Sequence, residues 1–125
     1  MDVKEYTPYA TPKTKGDLIF LIEHRHRGQQ NAATGSKLIA EMWGEEAARN
    51  KTYNNRYHRS LRAMIEEAVH EGALICSDST HGYWYADSLQ DGMPAAESNL
   101  ERANKMRKNA ETLIGNLMKA YGRLF

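Results

Sequence analysis

One stretch of this chain breaks an otherwise helical pattern and limits what the rest can become. "GALICSDSTHGYWYA", residues 72–86, holds two short runs rich in Ile, Tyr, Trp and Ala around a polar turn that ends in Gly82. That is a hairpin signature. Its predicted strands, Ala73–Ser77 and Tyr83–Ala86, are too short to stand alone, because an isolated two-stranded ribbon is marginal in water. The ribbon must lean on helices, and Leu74 and Ile75 on one side with Tyr83 or Trp84 on the other offer the surface for it.

The flanking sequence supplies those helices. "DLIFLIEHRHRG" starts with an acid at Asp17 and ends in cations before Gly28, which predicts a first helix. "QQNAAT" can give a short extended piece. In "TGSKLIAEMWG", Leu38, Ile39, Met42 and Trp43 recur at helical spacing, with Ser36 as the expected cap and Gly44 as the stop. "EEAARNKTYNN" reads as a polar connection with a partial helical turn at residues 45–49. The strongest helical signal runs from Asn54 or Asn55 to His70 or Glu71, with Tyr57, Leu61, Met64, Ile65 and Ala68 on one face and Gly72 beyond the end. After the polar separator "DSLQDGMPAAES", a last helix over about residues 95–121 places Ala103, Met106, Ala110, Leu113, Leu117, Ala120 and Leu124 at alternating steps of three and four. That seam packs either on its own domain or on a second copy of the chain, with a homodimer the expected outcome.

The division follows: a flexible arm over residues 1–15, a helical domain with a wing-like hairpin over 16–90, and a C-terminal helix over 91–125 that can dimerise. At 125 residues the chain suits one core. A net charge of +1 announces neither a strongly basic nucleic-acid binder nor an acidic mimic, so local charge must carry any electrostatic argument. The single cysteine, Cys76, excludes a disulfide framework and reads as a small apolar residue on a strand. The longest apolar run, residues 18–22, is far too short for a bilayer and the first fifteen residues lack a signal-peptide core. A soluble protein of a bacterial or phage-infected cytoplasm is expected, without membrane contact. His24 and His26 sit two apart on a helix, where their rings diverge, and neither a Cys-x-x-Cys nor a phosphate-binding glycine loop occurs, so no metal, cofactor or enzymatic activity is expected.

Helix, helix, helix, hairpin is the building order of a winged helix-turn-helix. The run "NNRYHRSLRAMIEEAVHEGALICSDSTHGYWYAD" resembles the recognition helix and wing of that family, and "EGALI" followed by "GYW" and a long charged helix is similar to small winged-helix proteins of phages and prophages. The resemblance implies a sequence-specific DNA-binding protein acting in transcriptional control or replication of a mobile element, with double-stranded DNA as partner. The alternative is a winged-helix adaptor in which Tyr83, Trp84 and Tyr85 or the last helix bind a protein and no nucleic acid is touched.

Charge along the residue 54–71 helix is segregated, with Arg56, Arg59 and Arg62 leading and Glu66, Glu67 and Glu71 trailing. Asn55, Arg56 and Arg59 lie opposite the apolar stripe, where Arg can pair with guanine and Asn with adenine. Arg62 and His58 flank that face and suit phosphate or local pairing; an Arg62–Glu66 pair on a solvated face is the plainer reading. Ser36 and Lys37 at the start of the second helix can hold a phosphate on free N–H groups. His81 on the wing can donate, although Asp78 makes the tip a poor anchor. The last segment is net basic, with Arg102, Lys105, Arg107, Lys108, Lys119 and Arg123 against Glu97, Glu101 and Glu111, which adds salt-dependent affinity or merely solubility.

Overall fold

The computed structural model describes residues 14–49 and 55–122. Nearly all of the expected arm, the possible cap Asn54, and Arg123 and Leu124 of the last helix lie outside them. The described chain is mainly helical, with a two-stranded antiparallel sheet and a long C-terminal helix: α1 (Lys15–Arg25), a 3-10 turn (Gln29–Asn31), α2 (Gly35–Trp43), α3 (Glu45–Arg49), α4 (Arg56–His70), β1 (Ile75–Asp78), β2 (Gly82–Tyr85) and α5 (Leu89–Tyr121).

α1 starts two residues before the expected Asp17. Thr14 caps it, its hydroxyl accepting from the Asp17 N–H while the Asp17 carboxylate accepts from the Thr14 N–H, a reciprocal capping box. Lys15, assigned to the arm by composition, is therefore helical. Its ammonium reaches across to Glu67 and Glu71 on α4 at 2.6 and 2.5 Å. Thr34 rather than Ser36 caps α2, accepting from the Lys37 N–H at 3.2 Å. The partial turn at 45–49 is the helix α3, which buries Ala47 and Ala48. Leu18 and Ile22, Leu38, Ile39, Met42 and Trp43, and Leu61 and Ile65 join those alanines in one apolar core.

β2 is the centre of a larger backbone arrangement. One edge pairs with β1 in the register Ile75–Tyr85, Cys76–Trp84, Ser77–Tyr83. The other pairs with the segment after α1: Tyr83 and Ala33 exchange two hydrogen bonds of 2.8 Å, the Tyr85 N–H donates to the His26 carbonyl and the Gly28 N–H to the Tyr85 carbonyl. The extended piece expected in "QQNAAT" is thus Ala33 at the sheet edge, while residues 29–31 form the 3-10 turn.

The two faces of the ribbon take different partners, as alternation along a strand requires. Ile75, Tyr83 and Tyr85 pack on the helical core. Trp84, fully buried, shares the opposite face with Cys76, whose sulfur lies 3.2 Å from where a β-carbon on Gly92 of α5 would be. Leu74, expected to anchor the ribbon, is exposed instead.

α5 begins at Leu89, six residues earlier than the periodicity indicated. Ser88 caps it, accepting from the Asp91 N–H, and the Asp91 carboxylate accepts in turn from the N–H groups of Asp87 and Gln29. These anchors, with Gly92 fitted against the ribbon, outweigh the poor helical propensity of Gly92 and Pro94. Past residue 99 every side chain through Tyr121 is exposed, so the seam does not fold back onto its own domain.

Two glycines distinguish the constrained from the free parts of this fold. Gly82 has φ +97°, and a β-carbon there would stand 2.3 Å from the Ala33 carbonyl oxygen. Gly115 lies in α5 with nothing near its would-be β-carbon. Gly82→Ala should cost about 3 kcal/mol or more through backbone strain and the lost edge pairing, whereas Gly115→Ala should stabilise by about 0.5–1 kcal/mol. Chemical denaturation of the two variants checks both signs.

Candidate nucleic-acid interface

The starts of α2 and α4 and the turn of the hairpin converge on one short segment. Gly82, at the end of the hairpin turn, abuts Ala33 and the Thr34 Cα. The next residue, Gly35, faces the His58 ring and Leu61 of α4 at 3.6 Å. Ser36, Lys37, His58 and the hairpin residue His81 thus flank the close backbone packing around residues 33–35.

His58 is a packing residue here. Its Nε2 is buried without a hydrogen-bond partner among the described residues, and burial, then the nearby Arg62 charge, lowers its imidazole below the ordinary value. The phosphate-contact role expected for it does not fit a ring wedged on α2. Asn55 is also redirected: its side-chain oxygen accepts from the His58 N–H at 2.8 Å and caps α4. A carboxamide held as a cap is not presented to an adenine edge.

The arginines keep the expected placement more closely. Arg56 and Arg59 are exposed and Arg62 is half-buried. Arg56 lies over the Tyr57 ring at 4.9 Å and donates to the Tyr57 hydroxyl at 2.9 Å. Tyr57 in turn packs on Trp43 of α2, with ring centroids 5.4 Å apart. The guanidinium of Arg56 is thus supported on an aromatic shelf, and Arg59, one turn on, lies on the outer face. Two of the three trailing acids of α4 are occupied elsewhere, Glu67 and Glu71 both being taken by Lys15. The helix is consequently basic at its start and partly neutralised at its end.

Lys37 is exposed at the α2 start and shares the rim of a hollow of about 430 Å³ with Arg49 of α3. Arg49 was not among the residues picked from sequence, because only the position of α3 brings it beside Lys37. At the hairpin turn, Asp78 accepts from the N–H groups of Thr80 and His81 and from His81 Nδ1 at 2.8 Å. Burial acts to raise the Asp78 carboxyl, but the hydrogen bonds from His81 and Thr80 outweigh it and hold the group below its ordinary value. The turn acid thus organises the tip and positions His81 rather than standing alone as a repelling charge.

Of the "HRHR" cations at the end of α1 one turns inward, while His24, Arg25 and Arg27 are exposed. His26 is buried, with Nδ1 2.8 Å from the Asn31 carbonyl and Nε2 2.7 Å from the Glu41 carboxylate. Arg27 spans Asp87 at 3.1 Å and the Tyr85 ring at 5.5 Å. No group of three or more His, Cys, Asp or Glu is placed to hold a metal ion, and no helix is long and apolar enough to cross a membrane, among the described residues. No protein-family model, curated protein or solved structure matches this chain.

The lowered His58 imidazole has a testable sign. The unfolded chain binds the proton more readily, so the contribution of His58 to stability is full above about pH 6.5, its ordinary value, and declines as pH falls through it. Thermal melts should therefore show a fall in Tm below that pH, and His58→Asn should flatten that part of the profile.

Proposed function

We propose that this chain is a winged helix-turn-helix module that binds double-stranded DNA, with the leading half of α4 in the major groove and the β1–β2 hairpin as wing. The observation that carries the reading is the exposed pair Arg56 and Arg59 at the start of a helix two of whose three trailing acids, Glu67 and Glu71, are tied back to α1. A helix entering the groove by its N-terminal end brings its first two turns to the base edges. Arg59 is the base reader in this arrangement. Arg56, Arg62 and Lys37 hold phosphates, with the α2 start supplying N–H donors. The order of elements, with Ala33 added as a third strand position beside β2, fits the winged-helix plan. A role in transcription or replication of a mobile element follows from the resemblance of the sequence alone.

The adaptor alternative loses its hairpin surface. Trp84 is fully buried, and Tyr83 and Tyr85 pack on the core, so of the surfaces that reading invokes the exposed part of α5 is left.

Selection from random duplexes followed by a salt series tests the reading. Affinity should fall steeply between low and moderate salt, as counterion release requires. Arg59→Ala should weaken the selected site by about 1–3 kcal/mol and relax specificity at one position. Asn55→Ser, which retains a capping oxygen, should leave binding nearly unchanged. Salt-independent or undetectable binding overturns the proposal.

A further inference from the structure

α5 is about 50 Å long at 1.5 Å per residue, and only its first third touches the domain. Along its whole length a 3-4 repeat runs from Leu89 to Tyr121 on a side that the domain leaves open. The six large apolar residues of that line range from 43% exposed at Met93 to 72% at Leu89. This line begins earlier than the seam read from periodicity, and it borders an apolar groove. Beside the base of α5, Leu74, Ile75 and Ala86 line a hollow of about 440 Å³, and a second of about 330 Å³, which shares the wall at Ile75 and Ala96, lies against Ile65 and Val69.

We infer that two copies of this chain pair through α5 in antiparallel orientation, each laying its distal half along the groove at the base of the other. Two observations select a second copy as the occupant and fix the direction. The first is the spacing, because the repeat reads the same from either end. Centred at the level of Lys105, a two-fold axis sets Leu89 opposite Tyr121 of the second copy and Met93 opposite its Leu117. The same axis sets Ala96 opposite its Ile114, Leu100 opposite its Ala110 and Ala103 opposite its Arg107. The second is size: in the inner layers a small residue always meets a large one, the condition for interdigitation without voids.

Two faces about 50 Å long and about 10 Å wide bury on the order of 1,000 Å². The groove walls at Val69 and Leu74 extend this toward the ~1,200–2,000 Å² of stable specific interfaces.

The pairing stands without any nucleic acid. One consequence rests on the DNA reading: in this register corresponding residues at the two bases, such as Met93 in each copy, lie 24 helical positions or about 36 Å apart, near one turn of B-DNA.

The test uses the full chain with Cys76→Ser and no DNA. Light scattering at micromolar concentration should give a mass of two chains. Ile114→Lys, on the exposed half of α5, should yield a monomer with unchanged circular dichroism of the domain. Under oxidation, Leu100→Cys combined with Ala110→Cys should cross-link nearly all of the protein into dimers, and Leu100→Cys alone should not, since its two copies stand about 15 Å apart. A monomer before substitution, a dimer that survives Ile114→Lys, or efficient cross-linking by Leu100→Cys alone overturns the inference. Because these readings are independent of DNA, their failure is distinguishable from failure of the DNA proposal.

Discussion

The architecture depends on β2 being hydrogen-bonded along both edges. A four-residue strand paired only with β1 would be marginal. The backbone exchange between Tyr83 and Ala33, and the bonds from Tyr85 to His26 and Gly28, turn a loose hairpin into the middle of a sheet anchored in the connection between α1 and α2. Side-chain alternation then assigns Tyr83 and Tyr85 to the helical core and Trp84, with Cys76, to the opposite face. Gly82 makes this possible, because any side chain there would collide with Ala33.

A buried polar pair reinforces the same junction. Both nitrogens of His26 face acceptors, the Asn31 carbonyl and the Glu41 carboxylate, which gives the ring one orientation. Breaking such a pair from one side strands a buried polar group, which costs about 3 kcal/mol. The bond therefore fixes where α1 ends, how the 3-10 turn closes and how α2 sits against both. Because α2 carries Thr34 and Gly35 to the hairpin and to His58, the geometry of the candidate interface is set from within the core.

Much of this was legible in the residues themselves. The apolar stripes of α2 and α4 and the turn chemistry around Gly82 located those elements, and the segregated charge of α4 singled out Arg56 and Arg59. What stayed hidden was decided by contacts distant in sequence. His26 looks like one cation among four at a helix end until Glu41 is brought to it. Asn55 and His58 suit groove contact by position, yet the cap and the approach of Gly35 consume them. The start of α5 was masked by Gly92 and Pro94, whose local preference yields to Ser88, Asp91 and the fit of Gly92 against Cys76.

α5 joins the two halves of the functional argument mechanically. Its first third is a structural part of the domain, since Gly92 fits against Cys76 of β1 and Asn99 donates to the Ser77 carbonyl of β1. Its remainder is the same unbroken helix, so whatever engages the distal half also constrains the base and, through β1 and β2, the hairpin turn. A helix-to-helix contact that slipped by one seam layer would move the opposite domain by about 5 Å along the axis, the length of three to four residues. In the proposed DNA-bound pair, the small and large residues of α5 would set the spacing between the two copies and α4 the affinity for a given site.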